Sequence, residues 1–205
     1  MSKAVLISIQ PKWVERIASG EKTIEVRKTR PKLETPFKCY IYETQGEYKT
    51  GTGIFAYGIK LKGTKKGKGK VIGEFVCDSV EMVNAGCSDY GIDLFYHDCI
   101  TKGCLTESEV DKYFNIPEDK DLRVMKGNGY AWHISRLKIY DKPKELSEFY
   151  LQCEEYGKTG TVDIPKKCKK CRYQYTWNLA SKCRIDGLKP ITKPPQSWCY
   201  VEVQE

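Results

Sequence analysis

A lysine, a glutamate and an arginine follow one another closely in the segment GEKTIEVR, Gly20 to Arg27. The end of this segment alternates polar and apolar residues, which predicts a strand with Glu25 and Arg27 on one face, about 7 Å apart. Lys22 precedes the strand at a corner from which its flexible ammonium can reach the same cleft. Arg27 offers a planar fork to a phosphate or a base edge, and Lys22 offers a point charge. Glu25, ionised between two cations, can accept a hydrogen bond from an exocyclic amine such as cytosine N4. The pattern therefore predicts a nucleotide or nucleobase site.

The same three side chains allow two other interpretations. Catalysis would require a neutral Lys22 amine as nucleophile or base, or a protonated carboxylic acid at Glu25. A solvated row of ion pairs on a strand, with no ligand, is the common outcome for an arbitrary run of charges. The spacing alone does not choose between them.

A strand and a helix must position this motif. Ala4 to Ile9 is aliphatic and β-branched, which predicts a buried strand, and Pro11 to Ser19 has the apolar spacing of a short helix. The helix N-terminus favours anions, and Trp13 can stack on a base or pack in the core. The side chains expected to line the cleft at this junction are Ser8, Gln10, Lys12 and Trp13.

A tryptophan and a histidine are adjacent in a later predicted strand, Gly129 to Tyr140. Neighbours on a strand point to opposite faces, so at most one of them reaches the cleft. We assign Trp132 to the ligand site and a structural role to His133.

Four cysteines have a spacing that suits tetrahedral zinc. Cys168 and Cys171 form a C-x₂-C pair, Cys183 follows after 11 residues, and Cys153 precedes by 14. Thiolates at such spacing bind Zn²⁺, and a segment with few aliphatic residues needs such a staple to fold. Free thiols or redox chemistry remain alternatives, and Cys199 competes for the fourth place.

Two basic segments favour polyanionic partners. Tyr57 to Lys70 holds six lysines and no acid, which predicts a mobile loop that could follow a phosphate backbone. Lys166 to Arg172 precedes Tyr173, Tyr175 and Trp177, and basic residues beside aromatic ones are typical of nucleic-acid-binding modules. The formal net charge of +8 agrees with such a partner.

Composition excludes several classes of protein. The 205 residues are 40% hydrophobic and 30% charged, as in a globular chain. No uncharged apolar run approaches the roughly 18 residues that cross a bilayer, and the N-terminus lacks the pattern of a signal peptide. We therefore expect a cytoplasmic protein without a membrane partner, whose ten cysteines form no structural disulfides.

The order of elements predicts an α+β fold. Further strands are expected at 39–42, 71–83 and 198–203. Further helices are expected at 143–151 and at 106–115, where Thr106 and Glu109 have the spacing of a capping box. So many strands favour a closed barrel with short flanking helices, because closure removes the edges. We expect a barrel domain over residues 1–150, a cysteine-rich insertion over 151–195 and a closing strand within 196–205.

The pattern G-x-K-x-x-E-x-R of Gly20 to Arg27, following a strand and a helix, resembles the ASCH domain family of the PUA-like superfamily. Three other stretches look like those of small ASCH proteins from phages and prophages. They are Ile9 to Trp13, Ala131 to Ile134 and Pro194 to Val201.

The resemblance implies a PUA-like mixed β-barrel with a cleft beside the first helix, which binds RNA or modified nucleosides. Some ASCH-like proteins are amidohydrolases of N4-acetylcytidine, and ribonuclease activity has been ascribed to others. The amidohydrolase lysine matches Lys22, whereas Glu25 stands where that branch has a threonine. Glu74 is a candidate for its glutamate.

Three hypotheses follow. The leading one is an RNA- or nucleotide-binding protein, with DNA as a further possible ligand. The second is a hydrolase of N4-acylated cytidine or a nuclease, in which Lys22 and Glu25 would be catalytic. The third is a phage-encoded protein-interaction module.

Overall fold

A computed structural model describes residues 3–50, 55–56, 59–60, 63–83, 94–116, 129–152 and 188–203. The helices are α1 (Pro11–Ala18), α2 (Leu94–Thr101) and α3 (Glu107–Phe114), and a 3-10 turn covers Leu146–Glu148. The first strands are β1 (Lys3–Ile9), β2 (Ile24–Arg27), β3 (Phe37–Glu43), β4 (Glu47–Thr50), β5 (Phe55–Ala56), β6 (Ile59–Lys60) and β7 (Gly63–Lys66). The remaining strands are β8 (Val71–Cys77), β9 (Val80–Val83), β10 (Gly129–His133), β11 (Ser135–Lys144), β12 (Tyr150–Gln152), β13 (Leu188–Pro190) and β14 (Trp198–Glu202).

A five-stranded sheet with the order β11-β8-β3-β1-β14 forms the centre of the fold. β1 runs parallel to β3 and antiparallel to β14, so Val5 lies between Cys39 and Tyr200. Because β1 is covered on both faces, its residues from Ala4 to Ile9 are all buried, as the continuous apolar run predicts.

The two faces of this sheet pack in different cores. Val5, Ile7 and Ile9 face a core that includes Trp132 and the apolar side of α1. Ala4 and Leu6 face the other way, toward a core that is closed by residues of the 3-10 turn region and β14. The period-two alternation of β1 therefore connects two layers of the molecule.

A three-stranded sheet, β2-β10-β9, packs on the other side of the first core. Ile24 and Val26 of β2 face α2 and α3 in a third core. Glu25 lies directly opposite Trp132 in the β2-β10 register. Residues opposite each other in an antiparallel pair share a face, so Glu25 and Arg27 point into the molecule, toward the first core.

Most predicted elements are confirmed, including the mixed α+β class. Thr106 caps α3, and its capping box with Glu109 is formed. The predicted strand 71–83 is two strands, β8 and β9, which belong to different sheets. Pairing in the described residues forms separate sheets rather than one continuous ring.

Two further predictions were wrong. The helix expected over 143–151 is absent, because β11 continues to Lys144 and β12 begins at Tyr150, with only the 3-10 turn between them. Leu146, Phe149 and Leu151 pack in the core beside β1 and β14, and this packing outweighs a weak helical pattern. The basic loop expected over 57–70 contains β7, which pairs with β4. Its Lys65 bonds Glu15 of α1 at 2.5 Å.

The predicted cysteine-rich insertion lies mostly outside the described residues, and the division of the chain at residue 151 stays a prediction. β12, at the start of the insertion, and β13, near its end, pair with each other. β14 then returns to the edge of the central sheet beside β1. Among the helices that the structure describes, none has the length and apolarity to span a membrane.

Gly73 of β8 tests the close packing of the central sheet. A Cβ at this position would lie 2.5 Å from the backbone oxygen of Lys138 in β11. We expect Gly73→Ala to lower the free energy of unfolding by about 1–3 kcal/mol, because the strands must separate to admit the methyl group. Gly46→Ala is the control, since its nearest neighbour would be 3.9 Å away. Chemical denaturation measures both, and equal stability of the two variants would contradict the strand spacing.

Candidate functional site

A cavity of about 660 Å³ opens between α1, β2 and α3. Seven of the eight residues predicted to bind a ligand line it: Ser8, Gln10, Lys12, Trp13, Lys22, Glu25 and Arg27. The same cavity is also lined by Ile9, Val26, Lys28, Thr44, Leu105, Glu109, Lys112, Tyr113 and Gln196. The junction of β1 with α1 and the β2 motif therefore lie on one concave surface.

Lys22, Glu25 and Arg27 form a buried cluster at the base of this cavity. Lys22 Nζ lies 3.4 Å from Glu25 Oε2, and Arg27 Nη2 lies 2.9 Å from Glu25 Oε1. The side chains of Lys22 and Glu25 are 2% and 8% exposed. At such burial the three charges interact strongly, and the carboxylate compensates the two cations only in part.

Neighbouring backbone groups hold both cations of the cluster. Lys22 Nζ donates to the Gly103 carbonyl at 2.7 Å, and Arg27 Nη2 donates to the Ser8 carbonyl at 2.7 Å. Gly103 lies in the turn after α2. It packs so closely on Cys99 that a Cβ at this position would lie 2.5 Å from the Cys99 carbonyl oxygen. The turn after α2 and the end of β1 therefore position the motif from both sides.

The guanidinium group of Arg27 bonds mainly to groups of the protein itself. Besides the Ser8 carbonyl and Glu25, its Nη1 bonds Ser197 Oγ at 3.4 Å. The Ser8 hydroxyl likewise donates to the Pro195 carbonyl at 2.6 Å. Arg27 and Ser8 thus shape the base of the cavity and offer a ligand fewer free donors than the sequence suggests.

Two polar atoms of the cluster lack a hydrogen-bond partner. They are Glu25 Oε2 and Arg27 Nε, and both atoms are buried. A buried polar atom without a partner costs free energy. Such an atom is usually retained only where it serves a function or where a bound group satisfies it.

The rim of the cavity carries charges that are far more accessible. Lys28 and Lys112 are exposed, and within the described residues neither forms an ion pair. Lys28 Nζ lies 5.0 Å from the centre of the Tyr113 ring. Counting base and rim together, five cationic side chains and two carboxylates line the cavity, so it attracts anions.

Lys12 and Glu109 form an ion pair across the cavity, between α1 and α3. Burial acts to raise the pKa of Glu109, but hydrogen bonds from Lys12 and the Thr106 backbone outweigh burial and lower that pKa. Glu109 is therefore ionised at neutral pH and holds α3 beside α1.

Trp13 packs against the core and also lines the cavity. Part of its ring packs against the core beside β1. The same ring lines the cavity, with Lys12 Nζ 4.0 Å and Lys22 Nζ 5.4 Å from its centre. An indole with cations around it is a suitable stacking surface for a base that carries a phosphate.

Three sequence candidates lie away from the cavity. Trp132 is fully buried against Phe37 and Trp198, because its strand turns this side chain toward the central sheet. His133 points the other way and bonds Asp78 at 2.6 Å. Glu74, the candidate for the family's glutamate, accepts from Tyr140 at 2.6 Å and does not line the cavity.

The predicted zinc ligands Cys153, Cys168, Cys171 and Cys183 lie outside the described residues, so the zinc site stays a prediction. Cys199, the alternative ligand, packs against the core formed with β14. Within the described ranges, no group of three or more His, Cys, Asp or Glu side chains could hold a metal ion.

Sequence reasoning did not identify the residues that α3 contributes to the cavity. Glu109 was assigned only to the capping box, yet it also reaches Lys12. Lys112 and Tyr113 follow it by three and four residues, a spacing that places all three near one face of the helix. Their contact with α1 depends on packing across nearly a hundred residues, which no local pattern reports.

Glu25→Gln tests whether the carboxylate compensates buried cations. The amide leaves Lys22 and Arg27 buried without a counter-charge, so we expect the free energy of unfolding to fall by about 3–5 kcal/mol. Glu21→Gln is the matched control, because its ion pair with Arg16 is half exposed and should change stability by no more than about 0.5 kcal/mol. Thermal and urea unfolding measure both variants, and a Glu25→Gln protein as stable as the control would contradict this role.

Part of the chain matches a known protein domain. Residues 7–92 match the ASCH domain model, a range that includes the end of β1, α1, β2 and the motif. A search of curated proteins finds no match.

Two solved structures resemble the whole chain. One is an ASCH protein from Zymomonas mobilis, with a TM-score of 0.50 and 15% identity over 97% of this chain and 87% of that one. The other is a serine-to-alanine variant of the Zymomonas mobilis protein, with a TM-score of 0.50 and 15% identity over 97% of this chain and 88% of that one. At this identity the likeness shows the fold alone. Residues 7–92 of this chain thus match the ASCH domain, and the overall fold is similar to that of solved ASCH proteins.

Proposed function

We propose that the cavity between α1, β2 and α3 binds RNA or a nucleotide-like ligand, with the Lys22–Glu25–Arg27 cluster at its base. The observation that supports this most is the meeting of the buried cluster, the Trp13 ring and the rim cations on one cavity. Nucleotides combine a flat base, which stacks on aromatic rings, with a phosphate, which binds cations.

The arrangement suggests how such a ligand would lie. The base would lie against Trp13 and above the buried cluster, where polar atoms can contact its edge. The phosphate would remain at the rim, because Lys28 and Lys112 are exposed there whereas the Arg27 fork is occupied. A base that enters such a cavity must be unstacked, so the ligand would be a nucleoside derivative or single-stranded nucleic acid rather than a duplex.

Binding tests separate stacking from charge. Trp13→Leu should weaken binding of mononucleotides and single-stranded RNA about tenfold, because one base–aromatic stack is lost. The double variant Lys28→Ala with Lys112→Ala should weaken the binding of both mononucleotides and single-stranded RNA. It should also make the affinity for both ligands less dependent on salt. Calorimetry at two salt concentrations measures these changes.

The control for these variants is Lys138→Ala with Lys142→Ala. It removes the same charge from exposed positions of β11, the edge of the central sheet opposite β14. We expect it to bind as the parent does. Parent-like binding by both cavity variants would contradict the assignment of the site, and a partner captured without any dependence on nucleic acid would favour the protein-interaction hypothesis instead.

A hydrolase is the second candidate, and one observation favours it. Glu25 Oε2 has no hydrogen-bond donor, while Lys22 Nζ lies only 3.4 Å from it. A carboxylate oxygen beside an ammonium at the base of a cavity is a suitable pair for moving a proton during attack on an acyl group. Glu25 stands where the family's amidohydrolases have a threonine, so the chemistry would differ in that residue.

Incubation with N4-acetylcytidine, followed by chromatography, tests this candidate. If the pair is catalytic, cytidine and acetate form, and Lys22→Met abolishes their formation while circular dichroism shows an intact fold. The absence of cytidine with the parent protein would exclude the amidohydrolase reaction and leave binding as the function.

A further inference from the structure

Eight cationic side chains of the described residues are paired with carboxylates. The partners lie within 4.0 Å for Lys12, Arg16, Lys22, Arg27, Lys38, Lys65, Lys70 and Lys102. Paired cations have little charge left for an external anion. The cations without such a partner are therefore the ones that can bind an external anion.

Among the cations without such a partner, one group starts at the cavity. Lys28, Arg30 and Lys32 follow β2 directly, are exposed, and form no ion pair within the described residues. Lys28 is also part of the cavity lining. We call these three residues the cationic strip. From Lys28 to Lys32 the chain can span at most about 16 Å, which places three accessible cations within a short distance of the cavity mouth.

Contacts with β14 hold the strip in place. Trp198 Nε1 donates to Thr29 Oγ1 at 3.0 Å, and the Lys32 N–H donates to the Tyr200 hydroxyl at 2.7 Å. Trp198 and Tyr200 pack edge to face, with ring centres 5.4 Å apart. The side chain of Thr29 and the backbone of Lys32, on either side of Arg30, are thus anchored to an aromatic pair, so the cations are presented from a defined surface.

A further cation lies against the same aromatic pair. Lys3 Nζ is 5.7 Å from the centre of the Tyr200 ring. Beside the Trp198–Tyr200 pair the surface therefore combines accessible positive charge with partly exposed rings. Surfaces that follow a single nucleic-acid strand have this composition, since phosphates contact the cations and bases stack on the rings.

We propose that the cationic strip is a second binding surface, along which a single-stranded polynucleotide leaves the cavity toward Trp198 and Tyr200. This proposal rests on the proposed function, because it takes one nucleotide of the strand to occupy the cavity. The ligand is then a polynucleotide rather than a free nucleoside. The neighbouring surface beyond Trp13 does not offer the same path, because a second cavity there is lined by three carboxylates and two cations.

Fluorescence anisotropy with a mononucleotide and with single-stranded RNA and DNA decamers tests the strip. The parent should bind the decamers more tightly than the mononucleotide. Arg30→Ala with Lys32→Ala should weaken decamer binding about tenfold and reduce its salt slope by about 1.4, since each lost contact with a single strand contributes about 0.7. Mononucleotide binding should stay unchanged, because neither residue lines the cavity.

The control is again Lys138→Ala with Lys142→Ala, which should bind both ligands as the parent does. Decamer binding that is unaffected by the strip variant, or weakened equally by the control, would overturn the proposal while leaving the cavity assignment intact. A parent that binds neither ligand would instead overturn the proposed function and the strip with it. If polyglutamate competes with the decamer as strongly as RNA does, the strip would bind acidic protein instead, and this result would also overturn the proposal.

Discussion

Glu25 compensates two buried cations, and the arrangement of three parts of the fold depends on this interaction. Its carboxylate contacts both Lys22 and Arg27. Lys22 then reaches the turn after α2, and Arg27 reaches the end of β1 and the segment before β14. A charged cluster of this kind adds little net stability compared with apolar packing, but it strongly disfavours arrangements in which any of its members is left unpaired. The cluster thus specifies how the turn after α2 is placed relative to β1 of the central sheet.

The cluster also divides the cavity into two regions with different properties. At the base, donors and acceptors are buried and mostly bonded to the protein, so they favour a ligand of defined shape and polarity. At the rim, Lys28 and Lys112 are solvated and unpaired within the described residues, so they attract anions with little selectivity. The two parts of a nucleotide match these two regions. Its base edge carries directional hydrogen-bonding groups, which suit the base of the cavity, and its phosphate carries charge, which suits the rim. This correspondence is the physical basis of the proposed function.

The sequence was informative wherever a local pattern determined the structure. The alternation in β2 correctly placed Glu25 and Arg27 on one face, and the spacing from Thr106 to Glu109 correctly placed the start of α3. It was misleading where tertiary packing decided. Trp132 faces the first core because β10 is the middle strand of the three-stranded sheet that packs there, and periodicity cannot show which face of such a strand borders a cavity. The contribution of α3 to the site, and the occupation of the Arg27 fork by Ser8 and Ser197, likewise depend on contacts between distant segments.

A crystal structure of the protein with a bound mononucleotide tests the central claim most directly. The account predicts ligand density in the cavity, with the base against Trp13 and above the Lys22–Glu25–Arg27 cluster, and with the phosphate between Lys28 and Lys112. Density at another surface, with this cavity holding only solvent, would contradict it.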